Sequence, residues 1–136
     1  MTYVLAAALQ EAVYGRLTAD PSIAGLIGSA VFDAAPAGQV PPLYVALGPE
    51  DVRDRSDKTA HAALHVLTVT IVSEGGGFHA AKVLAAAVEE ALTVMPLSLS
   101  RGRVIAVTFD RADARRDRNG KQRRIDMRFR ALVDDT

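Results

Sequence analysis

The stretch 103-RVIAVTFDRADARRDRNGKQRRIDMRFRALV-133 decides the fold of this chain. It contains two runs of β-forming residues on either side of Asn119-Gly120, a dipeptide that is the strongest short-range signal for a β-hairpin. The outer ends of the two runs are apolar, and the tip is rich in arginine. We therefore predict two antiparallel strands that help to form a core at one end and carry charge at the other.

Two hairpin registers compete, and the side chains favour one of them. A two-residue loop pairs Arg118 with Lys121 and Phe109 with Arg130, which turns the apolar residues of the first strand onto the charged face. A three-residue loop with Gly120 in the left-handed conformation instead pairs Phe109 with Phe129. We predict this second register. Its other pairs are Asp117 with Lys121, Arg115 with Arg123, Ala114 with Arg124, Asp110 with Arg128, Val107 with Ala131 and Ile105 with Val133.

The predicted register divides the hairpin into an apolar base and a charged tip. Ile105, Val107, Phe109 and Phe129 are expected to belong to the core. Like charges face each other near the tip, which is unfavourable within a sheet. We therefore expect the tip to project into solvent or onto an acidic partner through six cations: Arg115, Arg116, Arg118, Lys121, Arg123 and Arg124.

Length and composition are those of one ordinary globular domain. The chain has 136 residues, of which 49% are hydrophobic and 24% charged, and this length favours a single domain over residues 1–136. It has no cysteine, which excludes disulfides and thiolate metal sites and fits an intracellular protein. Residues 1–17 lack a basic leader and are interrupted by Gln10 and Glu11, so an amphipathic helix is favoured over a signal peptide.

A net charge of zero hides a strong asymmetry along the chain. Residues 101–130 contain eleven basic and four acidic side chains, whereas the remainder contains five basic and twelve acidic ones. A molecule with one basic and one acidic region can repeat head to tail, or bind a polar surface of another protein.

Apolar periodicity and capping residues predict the order of elements along the rest of the chain. A helix over 3–17 is followed by a short helix that Asp20 caps and Gly28 ends. The strand over 65–73 is apolar on both faces, which is typical of a central strand. The other predicted elements are an extended pair at Val31-Phe32, a strand over 43–47, a helix over 78–95 stopped by Pro96, and the hairpin described above.

The polar segment 48–63 is either an extended hairpin or a flexible loop, and we favour the hairpin because long structureless loops are uncommon in compact domains. The predicted fold is therefore α+β. It has a mostly antiparallel sheet of four to five strands, two main helices packed on that sheet, and projecting hairpin arms.

We find no constellation of residues that predicts catalysis or cofactor binding. His61 and His65 are four residues apart, but this spacing suits a metal only on a helix, and the surrounding pattern is loop and strand. Gly75-Gly76-Gly77 precedes a helix without completing a phosphate-binding motif. The sequence thus predicts a protein that is not an enzyme and has no catalytic, cofactor or metal site.

The basic hairpin tip leaves one alternative, a small nucleic-acid-binding module. Clustered arginine and lysine residues are able to contact phosphates. However, the tip has no aromatic residue on which a base would stack, and the chain as a whole is neutral. We therefore keep nucleic-acid binding as the second hypothesis.

Several motifs in a fixed order make the chain resemble a known family. These are Y-V-A-L-G-P-E at 44–50, D-K-T at 57–59, and the helix start G-G-F-x-x-A-K at 76–82, within longer matching stretches that cover nearly the whole sequence. Each motif is weak alone, and their order and spacing carry the resemblance. The chain resembles phage tail-completion proteins, also called tail terminators, whose relatives occur in gene transfer agents.

The resemblance implies a structural protein that forms a ring, usually six-fold, at the head-proximal end of the tail tube. Such a ring ends tube polymerisation and presents a joining face to the head. The implied partners are further copies of the chain, the major tail tube protein and head-tail connector or adaptor proteins. DNA would pass through the lumen without specific recognition, and no membrane is involved.

The implied location is the bacterial cytoplasm during assembly and then the tailed particle, a virion or a gene transfer agent. The candidate interface residues lie in two segments: Arg53, Arg55, Asp57 and Lys58 in the first, and Arg115, Arg116, Arg118, Lys121, Arg123 and Arg124 in the second.

Overall fold

A computed structural model describes residues 3–34, 38–59, 61–75, 77–117 and 120–135. The predicted order of elements and the α+β class are confirmed. No helix within these ranges is long and apolar enough to cross a lipid bilayer. In chain order the elements are α1 (Ala6–Ala19), α2 (Pro21–Ile27), β1 (Val31–Phe32), β2 (Leu43–Asp54), β3 (Ala62–Glu74), α3 (His79–Thr93), β4 (Arg103–Asp117) and β5 (Gln122–Asp134).

The five strands form one sheet in the order β1-β2-β3-β5-β4. All neighbours run antiparallel except β1 and β2, which are parallel. The predicted central position of β3 is confirmed, because β2 and β5 pair with it on either side. The predicted hairpin over 48–63 is also confirmed, since β2 and β3 remain paired as far as Asp54 and Ala63.

The helices cover one face of this sheet. Helix α3 packs against β3, β4 and β5, whereas α1 contacts α3 and β1. Alternate residues of β5, from Ile125 to Val133, are buried beneath them together with those of β3. Among the described residues, the opposite face, which we call the open face, has a smaller apolar cluster formed around Tyr44 and Val72 near β1.

Hydrogen bonds define both ends of α2 and the C-terminal end of α3. As predicted, the Asp20 carboxylate caps α2 by accepting from the Ile23 amide at 3.0 Å, and Gly28 ends that helix with φ of 63°. Arg16 of α1 binds the C-terminal end of α3: its guanidinium donates to the carbonyl oxygens of Ala91, Met95 and Pro96 at 2.9, 3.0 and 2.9 Å. A cation at this end also complements the helix dipole.

The β4–β5 hairpin contains both competing registers, one in each half. At the base, the predicted pairs Phe109–Phe129 and Val107–Ala131 are confirmed. In the tip, Asp117 pairs with Gln122, which is the frame of the two-residue loop. A β-bulge at Asp110 joins the halves, because one extra residue on β4 shifts the pairing by one. Gly120 has the predicted positive φ, at 80°, whereas Arg118 and Asn119 lie outside the described residues.

A second bulge at Ile105 moves the first two residues of β4 by one more position, so that Val104 pairs with Val133. Five predicted pairs are therefore wrong: Asp117 with Lys121, Arg115 with Arg123, Ala114 with Arg124, Asp110 with Arg128, and Ile105 with Val133.

The predicted core residues of the hairpin separate according to strand position. Phe129 on the interior strand β5 is fully buried, and Val107 packs against the core. Ile105 and Phe109 on the edge strand β4 are 47% and 41% exposed, so their predicted burial is wrong. An edge strand has a neighbour on one side only, and the side chains it carries are correspondingly less covered.

Candidate functional site

The two segments of candidate interface residues lie at opposite ends of the sheet. The segment around Arg55 follows the end where Ala62 pairs with Asp134, and the hairpin tip lies at the end where Glu74 pairs with Gln122. These ends are separated by the length of β3, about 40 Å at the usual rise per residue. The strands of both hairpins stay paired almost to their turns, so each turn lies at one end of the sheet. The structure therefore provides two separate surfaces.

Two cations of the tip lie on the open face and bind one carboxylate. Arg115 and Arg124 pair across the strands, and each donates to Asp126, at 3.0 and 3.2 Å. The hydroxyl of Thr70 on β3 donates to the same carboxylate at 2.8 Å. Asp126 thus compensates the repulsion between facing arginines and ties three strands together.

Two other tip cations, Arg116 and Arg123, pair across the hairpin on the face that the helices occupy. The guanidinium of Arg123 lies 5.6 Å from the ring centre of Phe78, and Lys82 approaches that ring at the same distance. Such cation–π contacts fix the cations at the start of α3. Lys121 is exposed at the turn, and Arg118 lies outside the described residues.

We expect Asp126→Asn to lower the free energy of unfolding by about 1–3 kcal/mol, the usual cost of losing hydrogen bonds to a charged group. The loss should shrink in high salt, which screens the two arginines from each other. Denaturant unfolding followed by circular dichroism measures both effects. Asp113→Asn is the matched control: the Asp113 side chain is 60% exposed against 20% for Asp126, so its ion pair should contribute less than about 1 kcal/mol.

The segment around Arg55 is shaped by its own carboxylates. Asp57 accepts hydrogen bonds from the amide and the hydroxyl of Thr59 at 2.8 and 3.1 Å. Asp54 accepts from the amide of Ser56 at 3.0 Å. Asp57 therefore builds the turn, while the neighbouring cations Arg53, Arg55 and Lys58 are exposed around it.

The open face carries further cations that the sequence analysis did not assign to an interface. Arg128 and Arg130 of β5 border a depression of about 480 Å³ together with Arg53 and Arg55. Their signal in the sequence was the alternation of charged residues at 124, 126, 128 and 130, which places them on one side of a strand. This face therefore links the two sheet ends by a continuous row of charged side chains.

The histidines do not come together as a metal site. His65 is fully buried on the helix-covered face, where its Nδ1 lies 3.0 Å from Oε2 of Glu50. A β-bulge at Gly48-Pro49 turns Glu50 onto this face, since it shifts the pairing from Leu47–Val69 to Glu50–Leu67. Among the described residues, no group of three or more His, Cys, Asp or Glu side chains is arranged to hold a metal.

Tyr3 contacts both His65 and Glu50. Its ring stacks on the His65 ring at 6.5 Å between centres, and its hydroxyl donates to Oε1 of Glu50 at 3.3 Å. The Glu50 carboxylate raises the pKa of Tyr3, first by repelling the phenolate charge and then by accepting this hydrogen bond. The contact holds the segment before α1 against the sheet.

Comparison with known proteins identifies relatives over the full length of this fold. The family model of tail completion protein gp17 matches residues 11–134. A chain of a solved structure, the virion of a native gene transfer agent particle, is 49% identical, with a TM-score of 0.92 over 98% of this chain and 99% of that one. No curated protein matches the sequence. The chain belongs to the tail completion protein gp17 family.

Proposed function

We propose that this chain forms a six-fold ring at the head-proximal end of a tail tube, where it ends tube polymerisation and provides the joining face for the head. The observation that carries the proposal is the likeness to a chain of the gene transfer agent virion, which extends over 98% of this chain at 49% identity. Membership of a tail-completion family supports the same role. A structural role of this kind requires protein surfaces and no reactive site.

The proposed partners are further copies of the chain, the major tail tube protein and a head-tail connector or adaptor. A protein that joins tube and head needs two separate binding surfaces, and the sheet offers charged surfaces at ends about 40 Å apart. DNA passes through the lumen without sequence recognition, and no membrane takes part. The chain joins the particle in the bacterial cytoplasm and remains in it.

The arrangement of the tip cations does not favour the alternative, a nucleic-acid-binding module. Four of the six tip cations are Arg115 and Arg124, which bind Asp126, and Arg116 and Arg123, which lie on the other face. The tip is thus not one basic patch. A phosphate backbone that contacts one face would meet only half of these cations.

A tube-capping assay tests the proposed function. Tail tubes grown from purified tube protein should stop elongating at one end once this chain is added, and electron microscopy should show a ring at that end. Tubes that keep growing at both ends in an excess of the chain would contradict the proposal.

Matched charge-reversal variants extend the assay to the two sheet ends. One variant carries Arg55→Glu and Lys58→Glu, and the other Arg116→Glu and Lys121→Glu, so each exposed end changes by the same charge. We expect one pair to abolish capping and the other to abolish only head attachment. If neither pair weakens either step, these ends are not the binding surfaces.

A further inference from the structure

The open face of the sheet has an excess of positive charge. Because the helices pack on the other side of the sheet, most of the charged side chains on the open face are exposed. Its strands carry six arginines and four aspartates: Arg53, Arg111, Arg115, Arg124, Arg128 and Arg130, against Asp51, Asp110, Asp113 and Asp126.

Ion pairs within the chain neutralise only part of this positive charge. Four of the six arginines are held by carboxylates of the same face, in the pairs Arg53–Asp51, Arg111–Asp113, Arg115–Asp126 and Arg124–Asp126. Arg128 and Arg130 are exposed, and neither forms an ion pair with a described residue. These two guanidinium groups are therefore available to an anion from outside the chain.

The unpaired arginines lie close together on the face. Arg128 and Arg130 are alternate residues of β5, about 7 Å apart along the strand. Arg55, which follows β2 and is also exposed without an ion pair among the described residues, borders with them the depression of about 480 Å³. Four arginines and two aspartates line this depression, so it is positively charged as a whole.

The chemistry of the depression favours a phosphate backbone over the surface of another protein. Protein–protein interfaces have an apolar centre with few charges, whereas protein–DNA interfaces are polar and strongly basic. Leu64 and Val66 are the apolar residues of the lining, and neither is exposed. No aromatic ring of the described residues borders the depression, so it offers no platform on which a base would stack.

We propose that this part of the open face binds the phosphate backbone of duplex DNA through Arg55, Arg128 and Arg130, without reading the base sequence. A guanidinium group is able to donate two parallel hydrogen bonds to one phosphate. The aspartates among the arginines keep the attraction weak, which suits DNA that has to move past the surface. The inference rests on the proposed function for the identity of the polyanion, and it adds which surface the passing DNA meets.

Fluorescence anisotropy of a short labelled DNA duplex, titrated with the full chain, tests this contact. Binding should be equal for two duplexes of unrelated sequence and should weaken steeply with salt, because each neutralised phosphate releases counterions. Replacing both Arg128→Gln and Arg130→Gln should weaken binding about tenfold and lower the salt slope by about two. Both side chains are exposed, so the fold should persist, and circular dichroism checks that it does.

The matched control replaces Lys82→Gln and Arg116→Gln. It removes the same charge from exposed side chains on the helix side of the sheet, and DNA binding should change less than about twofold. Equal weakening by the two double variants would attribute binding to net charge and overturn the proposal. Failure of the natural chain to bind the duplex at low salt would overturn it as well.

The capping assay separates this inference from the proposed function. If the Arg128/Arg130 variant binds DNA normally but no longer caps tubes, the face binds a protein and the proposal is wrong. A natural chain that caps tubes without binding DNA disproves the contact alone. DNA binding through these arginines by a chain that does not cap tubes disproves the proposed function alone.

Discussion

Replacing Phe129 with alanine should lower the free energy of unfolding by about 3–5 kcal/mol, the usual cost of removing a large aromatic side chain from a core. Phe129 is fully buried, and it lies between Leu67 of β3 and Phe109 of β4. The cavity left behind would be enclosed by sheet on either side and by helices above. A loss of this size is a large fraction of the stability of a typical domain, and urea unfolding followed by circular dichroism measures it.

Phe109→Ala is the matched control, since it removes the same side chain from the facing position. The two rings meet edge to face at 5.9 Å between centres, but Phe109 lies on the edge strand and is 41% exposed. We expect a loss of about 1–2 kcal/mol, from the ring contact and partial burial. Equal losses for the two variants would show that Phe109 is as buried as its partner.

The second large effect is expected at Gly102, just before β4. Its φ is 70°, a conformation in which a side chain is strained. An added Cβ would lie 2.7 Å from the carbonyl oxygen of Asp134 and 2.8 Å from a methyl of Leu5. Because backbone oxygen cannot move aside cheaply, Gly102→Ala should combine strain with overpacking and cost about 2–5 kcal/mol.

Gly120→Ala isolates the strain component of that effect. Gly120 also has a positive φ, at 80°, but an added Cβ there meets no atom of the described residues within 4 Å. Its replacement should cost about 1–2 kcal/mol. Thermal unfolding of the two variants side by side measures the difference, and a Gly102 variant no less stable than the Gly120 variant would contradict the close approach to Leu5 and Asp134.

Local signals were sufficient to predict most of the elements. Asp20 and Pro21 define the start of α2, and Gly28 its end, because capping involves residues that are neighbours in sequence. The Asn119-Gly120 turn identified the hairpin for the same reason. The parallel pairing of β1 with β2 was not predicted, since two residues carry too little periodicity to show which strand they join.

The bulges were the main features that sequence reasoning missed. Each of the two hairpin registers satisfied only part of the pattern: apolar pairing at the base favoured one, and the short turn favoured the other. A ladder without a bulge can follow only one of the two registers. One extra residue at Asp110 lets the base follow one register and the tip the other. Whether a strand bulges depends on packing against the rest of the sheet, which the pairing rules of an isolated hairpin do not include.

The structure places the candidate interface residues that it describes in two separate segments of the sheet, and their mutual arrangement was not foreseen from the sequence. Strand alternation divides the tip cations between two faces in either register. The observed register, which differs from the predicted one, places Arg115 with Arg124 and Arg116 with Arg123. Arg128 and Arg130 were overlooked because they lie outside the arginine-rich run, although strand alternation places them on the same face as Arg124. Residues that lie side by side on a sheet come from different strands. A cluster of arginines in the sequence therefore does not show which cations share a surface.

The Asp110 bulge also affects how this protein can change during evolution. The bulge accommodates one extra residue, so the register of the hairpin tip is set separately from the register of its base. Changes of residue type beyond the bulge alter the tip surface without turning Val107 or Phe129 out of the core. Selection on the surface of the hairpin tip can therefore act separately from the selection for folding that maintains its base.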